Sequence, residues 1–150
     1  MVDCVFQNSS EVLEAFRRNK NNTEIKDLYI TFLDDMTDEI LEEILEIVAS
    51  SASGNISHLV LRDLPLVTKI PAAIRRLSNL KNLFVGYMNS IDTIPSGSIV
   101  SNPNSSLSFD FLGNLNVIEP GAFLGMIRMY LTMFILLRFF WFLRFYDSPR

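Results

Sequence analysis

The chain has 150 residues, of which 49% are hydrophobic and 20% are charged, so it is long and apolar enough to bury a core. A formal net charge of -4 argues against nucleic-acid binding, because that activity needs a basic face to neutralise phosphates. The single cysteine, Cys4, excludes an internal disulfide. Because there is also only one histidine, the sequence offers no His/Cys metal cluster and no Cys-His motif, which removes most hydrolytic and metal chemistry.

Three elements are predicted in the first third of the chain. Ser10 can cap a short amphipathic helix over residues 11–18. The alternation at Leu28-Tyr29-Ile30 predicts a short strand with one face buried. An apolar stripe at helical spacing predicts a surface helix over residues 38–49. The carboxylates of that helix fit no EF-hand spacing, so we expect a solvated helix face rather than a calcium site.

The strand pattern recurs along the chain as an internal repeat. Apolar residues at the first, fourth and sixth positions of each copy point into a shared stack, and no copy can bury them alone, so several copies must pile up. The intervals between the first three copies are 31 and 24 residues, a length that suits parallel strands and excludes tight hairpins. The copies are Ile25-x-x-Leu28-x-Ile30, Ile56-x-x-Leu59-x-Leu61, Leu80-x-x-Leu83-x-Val85 and a degenerate fourth, Phe109-x-Phe111.

The run from Ser106 to Gly125, SLSFDFLGNLNVIEPGAFLG, resembles the repeat unit of extracellular leucine-rich-repeat proteins, in which a Leu-x-Leu strand precedes an Asn turn, an Ile and Gly-Ala-Phe. The opening, with Cys4, the first helix and Leu28-Tyr29-Ile30, is similar to the N-terminal cap and first repeat of secreted invertebrate members. The resemblance implies an α/β leucine-rich-repeat solenoid with about four parallel strands and with helices or loops on the convex side. Residues 1–24 would form a cap-like segment, residues 25–125 the repeats and residues 126–150 a hydrophobic tail.

The resemblance also implies a function. Members of this family commonly bind partners on the concave side of the sheet, which displays the residues between the buried positions. We therefore expect a non-enzymatic module that recognises a protein partner without a metal or cofactor. In the fourth copy the three displayed residues would be Ser108, Asp110 and Leu112. Asp110 would then lie beside Phe84. The expected partner-binding residues are Tyr29, His58, Arg62, Asn82, Phe84, Tyr87 and Asp110.

His58 is the residue that suggests an enzyme instead. A histidine beside Ser57, on a strand that has Asp63 at its end, could belong to a general-base pair. No serine elbow, second histidine or glycine-rich phosphate loop accompanies it in the sequence. We therefore expect His58 to be an exposed polar residue and the protein not to be an enzyme.

Four acceptor sequons for N-glycosylation occur in predicted turns or linkers, at Asn8, Asn21, Asn55 and Asn104. Together with the resemblance they favour an extracellular or cell-surface protein. The start of the chain has no signal peptide, so either the protein is cytosolic or its natural N-terminus lies upstream of Met1, and the resemblance favours the second. The resemblance implies the same position for a disulfide partner of Cys4.

The tail is almost entirely apolar from Met126 to Leu143, and as a helix it would approach the ~30 Å of a bilayer core. Its apolar residues favour insertion by about 4 kcal/mol in sum, whereas Arg138 opposes insertion by about 3 kcal/mol. Three interpretations stay open: a weak membrane anchor through residues 126–146, an interfacial segment, or a read-through stretch outside the folded protein. We prefer the third, because the repeat breaks off after Gly125. A membrane-anchored receptor-like module is the alternative function, and carbonate extraction of membranes would separate the two.

Overall fold

A parallel sheet and two helices build an α/β fold. The computed structural model describes residues 8–19, 25–50, 56–100, 106–110, 112–124 and 128–132. The helices are α1, Ser9–Asn19, and α2, Asp38–Ser50, and a short 3₁₀ helix spans Ala72–Arg76. The strands are β1 Asp27–Thr31, β2 His58–Arg62, β3 Asn82–Gly86, β4 Thr93–Ile94, β5 Ile99–Val100, β6 Ser106–Asp110, β7 Val117–Ile118, β8 Phe123–Leu124 and β9 Arg128–Thr132.

The five longer strands form one sheet in the order β1-β2-β3-β6-β9, and every neighbouring pair in it is parallel. Asp27 lies opposite His58, His58 opposite Asn82, and Asn82 opposite Ser106. Two smaller parallel pairs, β4 with β7 and β5 with β8, join the connections that lead away from β3 and β6. The predicted α/β fold with a parallel sheet is confirmed.

The core lies on one side of this sheet. Its strand residues are the buried positions that the repeat predicts, namely Leu28, Ile30, Leu59, Leu61, Leu83 and Val85. Leu41, Ile44, Leu45 and Val48 of α2 belong to the same buried cluster. Because each strand contributes only two of these side chains, the core exists only where neighbouring strands and α2 come together.

The fourth copy of the repeat differs from its prediction by two residues. Leu107 and Phe109 lie opposite Leu83 and Val85, so the core positions are not Phe109 and Phe111. Leu107 is fully buried. Counted back three residues from Leu107 in the sequence, the first position of this copy is the polar Asn104, so the apolar residue that marks the start of the other copies is missing.

The sheet also continues beyond the predicted end of the repeats at Gly125. Strand β9 pairs with β6 over five residues, so Met129 and Leu131 take the register positions of Leu107 and Phe109. Because the tail is almost uniformly apolar, the sequence pattern does not reveal this strand. The remainder of the predicted tail, residues 126–127 and 133–150, lies outside the described residues. Within the described ranges, no helix has the length and apolar character needed to span a bilayer.

Helix α1 begins two residues before its predicted start. The Glu11 N–H donates a hydrogen bond to Asn8 Oδ1 over 3.0 Å, so Asn8 rather than Ser10 is the capping residue. The Ser9 N–H donates to both carboxylate oxygens of Asp35, at 2.9 and 3.1 Å. Because a helix N-terminus attracts negative charge, Asp35 fixes α1 to the turn that follows β1.

The acidic side of α2 is partly exposed, but its carboxylates also make contacts that the sequence does not predict. Three carboxylates spaced four residues apart each bind a residue that lies 30 positions further along the chain. The Asp38 carboxylate accepts from the Thr68 N–H at 2.9 Å, and Glu46 binds Arg76 at 2.6 Å. Glu42 accepts from the first N–H groups of the 3₁₀ helix, those of Ala72 at 2.8 Å and Ala73 at 2.9 Å. The row therefore joins α2 to the segment that covers the next strand.

We expect Glu42→Ala to lower the free energy of unfolding by about 1–3 kcal/mol, because it leaves two N–H groups of the 3₁₀ helix without their acceptor. Glu39→Ala is the matched control, since Glu39 is exposed on the same helix and its replacement should change stability by less than about 0.5 kcal/mol. Chemical denaturation measures both variants. Equal stability of the two variants would contradict a joining role for the row.

Candidate recognition surface

The side of the sheet opposite the core carries three rows of side chains, which we call the open face. Alternate residues of a strand point to opposite sides, so the strand positions between the buried ones share this face. The first row is Asp27, His58, Asn82 and Ser106; the second is Tyr29, Val60, Phe84 and Ser108; the third is Thr31, Arg62, Gly86 and Asp110.

The predicted partner-binding residues fall on or beside this face. Tyr29, His58, Arg62, Asn82 and Phe84 occupy the predicted rows.

Tyr87 and Asp110 lie at the carboxyl ends of β3 and β6. Tyr87 is the first residue after β3, at the carboxyl end of the rows. The predicted position of Asp110 is wrong: it lies opposite Gly86 in the third row rather than beside Phe84 in the second. Leu112 is buried and is not part of the row where it was expected. Both corrections follow from the two-residue shift of the fourth copy.

Arg62 is clamped between two aromatic rings at one end of the open face. Its guanidinium carbon lies 5.4 Å from the centre of the Phe32 ring and 4.6 Å from that of Tyr87. Its Nε donates to Asp63 Oδ2 over 3.0 Å. The side chain keeps 41% of its surface exposed. An arginine held in this way has already lost most of its rotamer freedom, so a partner that binds it pays little ordering entropy.

An unusual backbone conformation positions the clamp. Phe32, Asp63 and Tyr87 each follow directly after a strand, and their φ angles are 58°, 53° and 54°. This left-handed region is uncommon for residues other than glycine, and each such residue stores about 1 kcal/mol or more of strain. The same turn at the same point of three consecutive copies places two rings and one carboxylate around Arg62.

Phe32 is the member of this cluster that the sequence analysis missed. Phe32 is 66% exposed, and Tyr29, on the strand that Phe32 follows, is 61% exposed. One signal in the sequence could have found it, namely its position: Phe32, Asp63 and Tyr87 occupy the same place in the first three copies, directly after the strand. No propensity rule assigns an aromatic residue to a left-handed turn, so Phe32 could not be grouped with Arg62 from local sequence.

Gly86 leaves a gap in the third row that an aromatic ring fills. A side-chain carbon on Gly86 would lie 2.6 Å from Cε1 of Phe84. The Phe84 ring therefore lies over the backbone of Gly86, between Arg62 on β2 and Asp110 on β6. Asp110 Oδ1 is shielded from solvent and has no hydrogen-bond partner among the described residues.

His58 belongs to a polar cluster at the amino end of β1 and β2. Its Nδ1 lies 2.6 Å from Asp27 Oδ1 and 3.0 Å from Ser57 Oγ. A serine relay needs the hydroxyl and the carboxylate on opposite ring nitrogens, whereas here both contact the same nitrogen. The arrangement therefore cannot pass a proton from Ser57 through the ring to Asp27. Asp63, the other carboxylate considered for His58, binds Arg62 instead.

The predicted glycosylation sites are only partly covered by the structure. Asn8 caps α1 through Oδ1, whereas Asn21, Asn55 and Asn104 lie outside the described residues. Within the described ranges no group of three or more His, Cys, Asp or Glu side chains could hold a metal ion.

Comparison of the chain with protein-family models, with curated proteins and with solved structures finds no match. What the open face does must therefore be derived from its own residues.

Proposed function

We propose that this chain is a leucine-rich-repeat module that binds another polypeptide through the open face. The strand intervals support the repeat type: β2, β3, β6 and β9 follow one another at 24, 24 and 22 residues, inside the 20–29 residues of that repeat class. Asn89 and Asn114 add a contact between successive turns of chain, since the Asn114 amide donates to the Asn89 carbonyl oxygen over 2.6 Å.

The observation that carries the binding proposal is the clamped Arg62 between Phe32 and Tyr87. Arginine and tyrosine are among the residues that most often dominate the energy of protein interfaces. Here they are fixed on a sheet of regular strands, so a partner meets a surface that is ordered before it arrives. A partly exposed cation on two aromatic rings gives a binding site, and the geometry at His58 gives no relay for catalysis.

We further propose an extracellular or cell-surface location for the parent protein. Asn8 supports this proposal in one respect. A glycan attached to its amide nitrogen leaves Oδ1 able to accept the hydrogen bond from the Glu11 N–H. Glycosylation at this sequon is thus compatible with the cap of α1.

The test compares partners captured from native extracellular fluid by the wild-type chain and by two variants. Phe32→Gly removes one ring of the clamp and relieves the positive φ angle, so its stability should stay within about 1 kcal/mol of wild type. Arg75→Ala changes an exposed residue of the 3₁₀ helix instead. Each captured protein is then purified and its Kd is measured against all three chains. We expect Phe32→Gly to weaken binding at least tenfold and Arg75→Ala to leave it unchanged.

Circular dichroism and denaturation of Phe32→Gly show whether the variant is folded. A folded Phe32→Gly chain that binds every captured protein as tightly as wild type does would overturn the proposal.

A further inference from the structure

The open face has a charge pattern that is complementary to itself. Arg62 lies on β2 and Asp110 lies on β6, one strand to either side of β3 in the third row. Adjacent strands are about 4.8 Å apart, which separates the two positions by about 10 Å. Gly86 stands between them and contributes no side chain.

We propose that the partner of the open face is a second copy of this chain, docked face to face about a two-fold axis that runs along β3. This inference rests on the proposed function and names the polypeptide that the face binds. The axis exchanges the positions of β2 and β6, so Arg62 of each copy meets Asp110 of the other. The same patch then serves both copies, as in the isologous interfaces of two-fold dimers.

Both charged groups have bonding capacity that one chain does not use. The terminal nitrogens of Arg62 have no hydrogen-bond partner among the described residues, since its bond to Asp63 uses Nε alone. Asp110 Oδ1 is likewise unpartnered there, but it is shielded from solvent within one chain, so the Asp110 carboxylate has to rotate outward to reach Arg62 of the other copy. Arginine and carboxylate form the strong two-bond pairs of protein interfaces, and the spacing within one copy keeps Arg62 and Asp110 apart.

The centre of the face suits the same axis. Phe84 lies on β3, and its ring covers Gly86. On the axis the Phe84 ring of one copy meets the same ring of the other, and such pairs are favourable beyond their buried area. Any other polypeptide would have to present both charges at matching positions on either side of an apolar group, which a second copy does by symmetry.

The size of the face sets the strength that we expect. Five strands of five residues cover about 24 by 17 Å, which is below the area of a standard stable interface. The dimer should therefore be reversible and should depend on protein concentration.

The experiment exchanges the two charges in full-length chains held in detergent solution and labelled through Cys4, the single cysteine. Energy transfer between donor-labelled and acceptor-labelled copies reports association. We expect transfer for wild type, and at least tenfold weaker association for Arg62→Asp with itself and for Asp110→Arg with itself. A mixture of the two variants restores both opposite-charge contacts and should associate within threefold of wild type.

Arg75→Asp is the matched control, since it makes the same charge change on the 3₁₀ helix and should leave association unchanged. Contacts through the tail would be the same in every variant, so they cannot produce rescue in the mixture alone. Circular dichroism shows whether Asp110→Arg folds. If it does not, the isosteric Asp110→Asn should weaken association at least fivefold.

Two results would overturn the homodimer: wild type that shows no concentration-dependent transfer, or a mixture of folded variants that fails to restore it. Either result leaves the proposed function standing if a captured partner still loses affinity for Phe32→Gly. Failure of that second measurement, in turn, removes the proposed function.

Discussion

Truncation of Leu59 to alanine should lower the free energy of unfolding by about 2–5 kcal/mol. The residue is the second of β2, has no exposed surface and lies between Leu28 and Leu83 in the register of the sheet. Strand β2 is hydrogen-bonded to β1 on one side and to β3 on the other, and buried side chains pack against Leu59. These surroundings cannot collapse into the space that the truncation leaves. Denaturant unfolding followed by circular dichroism measures the change.

Leu66→Ala is the matched control for this prediction. Leu66 lies in the turn after β2 and is 52% exposed, so the same chemical change removes much less buried surface. We expect it to cost less than about 1 kcal/mol. If the two leucine variants were equally stable, β2 would not be the centre of a shared core, and the open face would lose its support.

The sequence predicts the core of the first three copies because periodicity and burial coincide there. Leu28, Leu59 and Leu83 lie side by side as their spacing requires. The prediction fails in the fourth copy because it depends on an apolar first position, which Asn104 does not supply. A sequence pattern does not contain the backbone hydrogen bonds between β6 and β3. Those bonds place Leu107 opposite Leu83 and so make it the core position.

Sequence alternation predicts which residues lie on the open face, but it does not predict which of their side chains contact one another. Tyr29, Arg62 and Phe84 follow from alternation along a strand. The clamp depends instead on positive φ angles at Phe32 and Tyr87, which local propensity disfavours and only the packed structure imposes.

The acidic row of α2 escaped the sequence analysis for a different reason. In the sequence Glu42 and Glu46 look like an exposed stripe of a helix. Their carboxylate oxygens accept hydrogen bonds from a segment 30 residues away, and that separation hides the contact from a local pattern. Amphipathicity reports which side of a helix avoids the core, and it does not report what else lies against that side.

A pair of proline substitutions on the open face tests the register of the sheet and should give the second largest effect. The His58 N–H donates to the Lys26 carbonyl oxygen, and the Phe32 N–H donates to that of Arg62. Alternation by two then directs the Val60 N–H toward β1, whereas the Tyr29 N–H points away from β2, to the edge of the sheet among the described strands.

Val60→Pro should therefore lower the free energy of unfolding by at least about 2 kcal/mol, because it removes a ladder bond inside the sheet and leaves a buried carbonyl without a donor. Tyr29→Pro is the matched variant at the paired position, and it should cost less than half as much because edge strands tolerate proline. Val60→Thr separates loss of the side chain from loss of the bond, and it should be close to neutral on this half-buried position.

Thermal and denaturant unfolding of the three variants measure the order of their stabilities. Equal losses for the two prolines would mean that β1 is not an edge strand or that its register with β2 is shifted by one residue, which would turn Tyr29 and Arg62 toward the core and remove the open face.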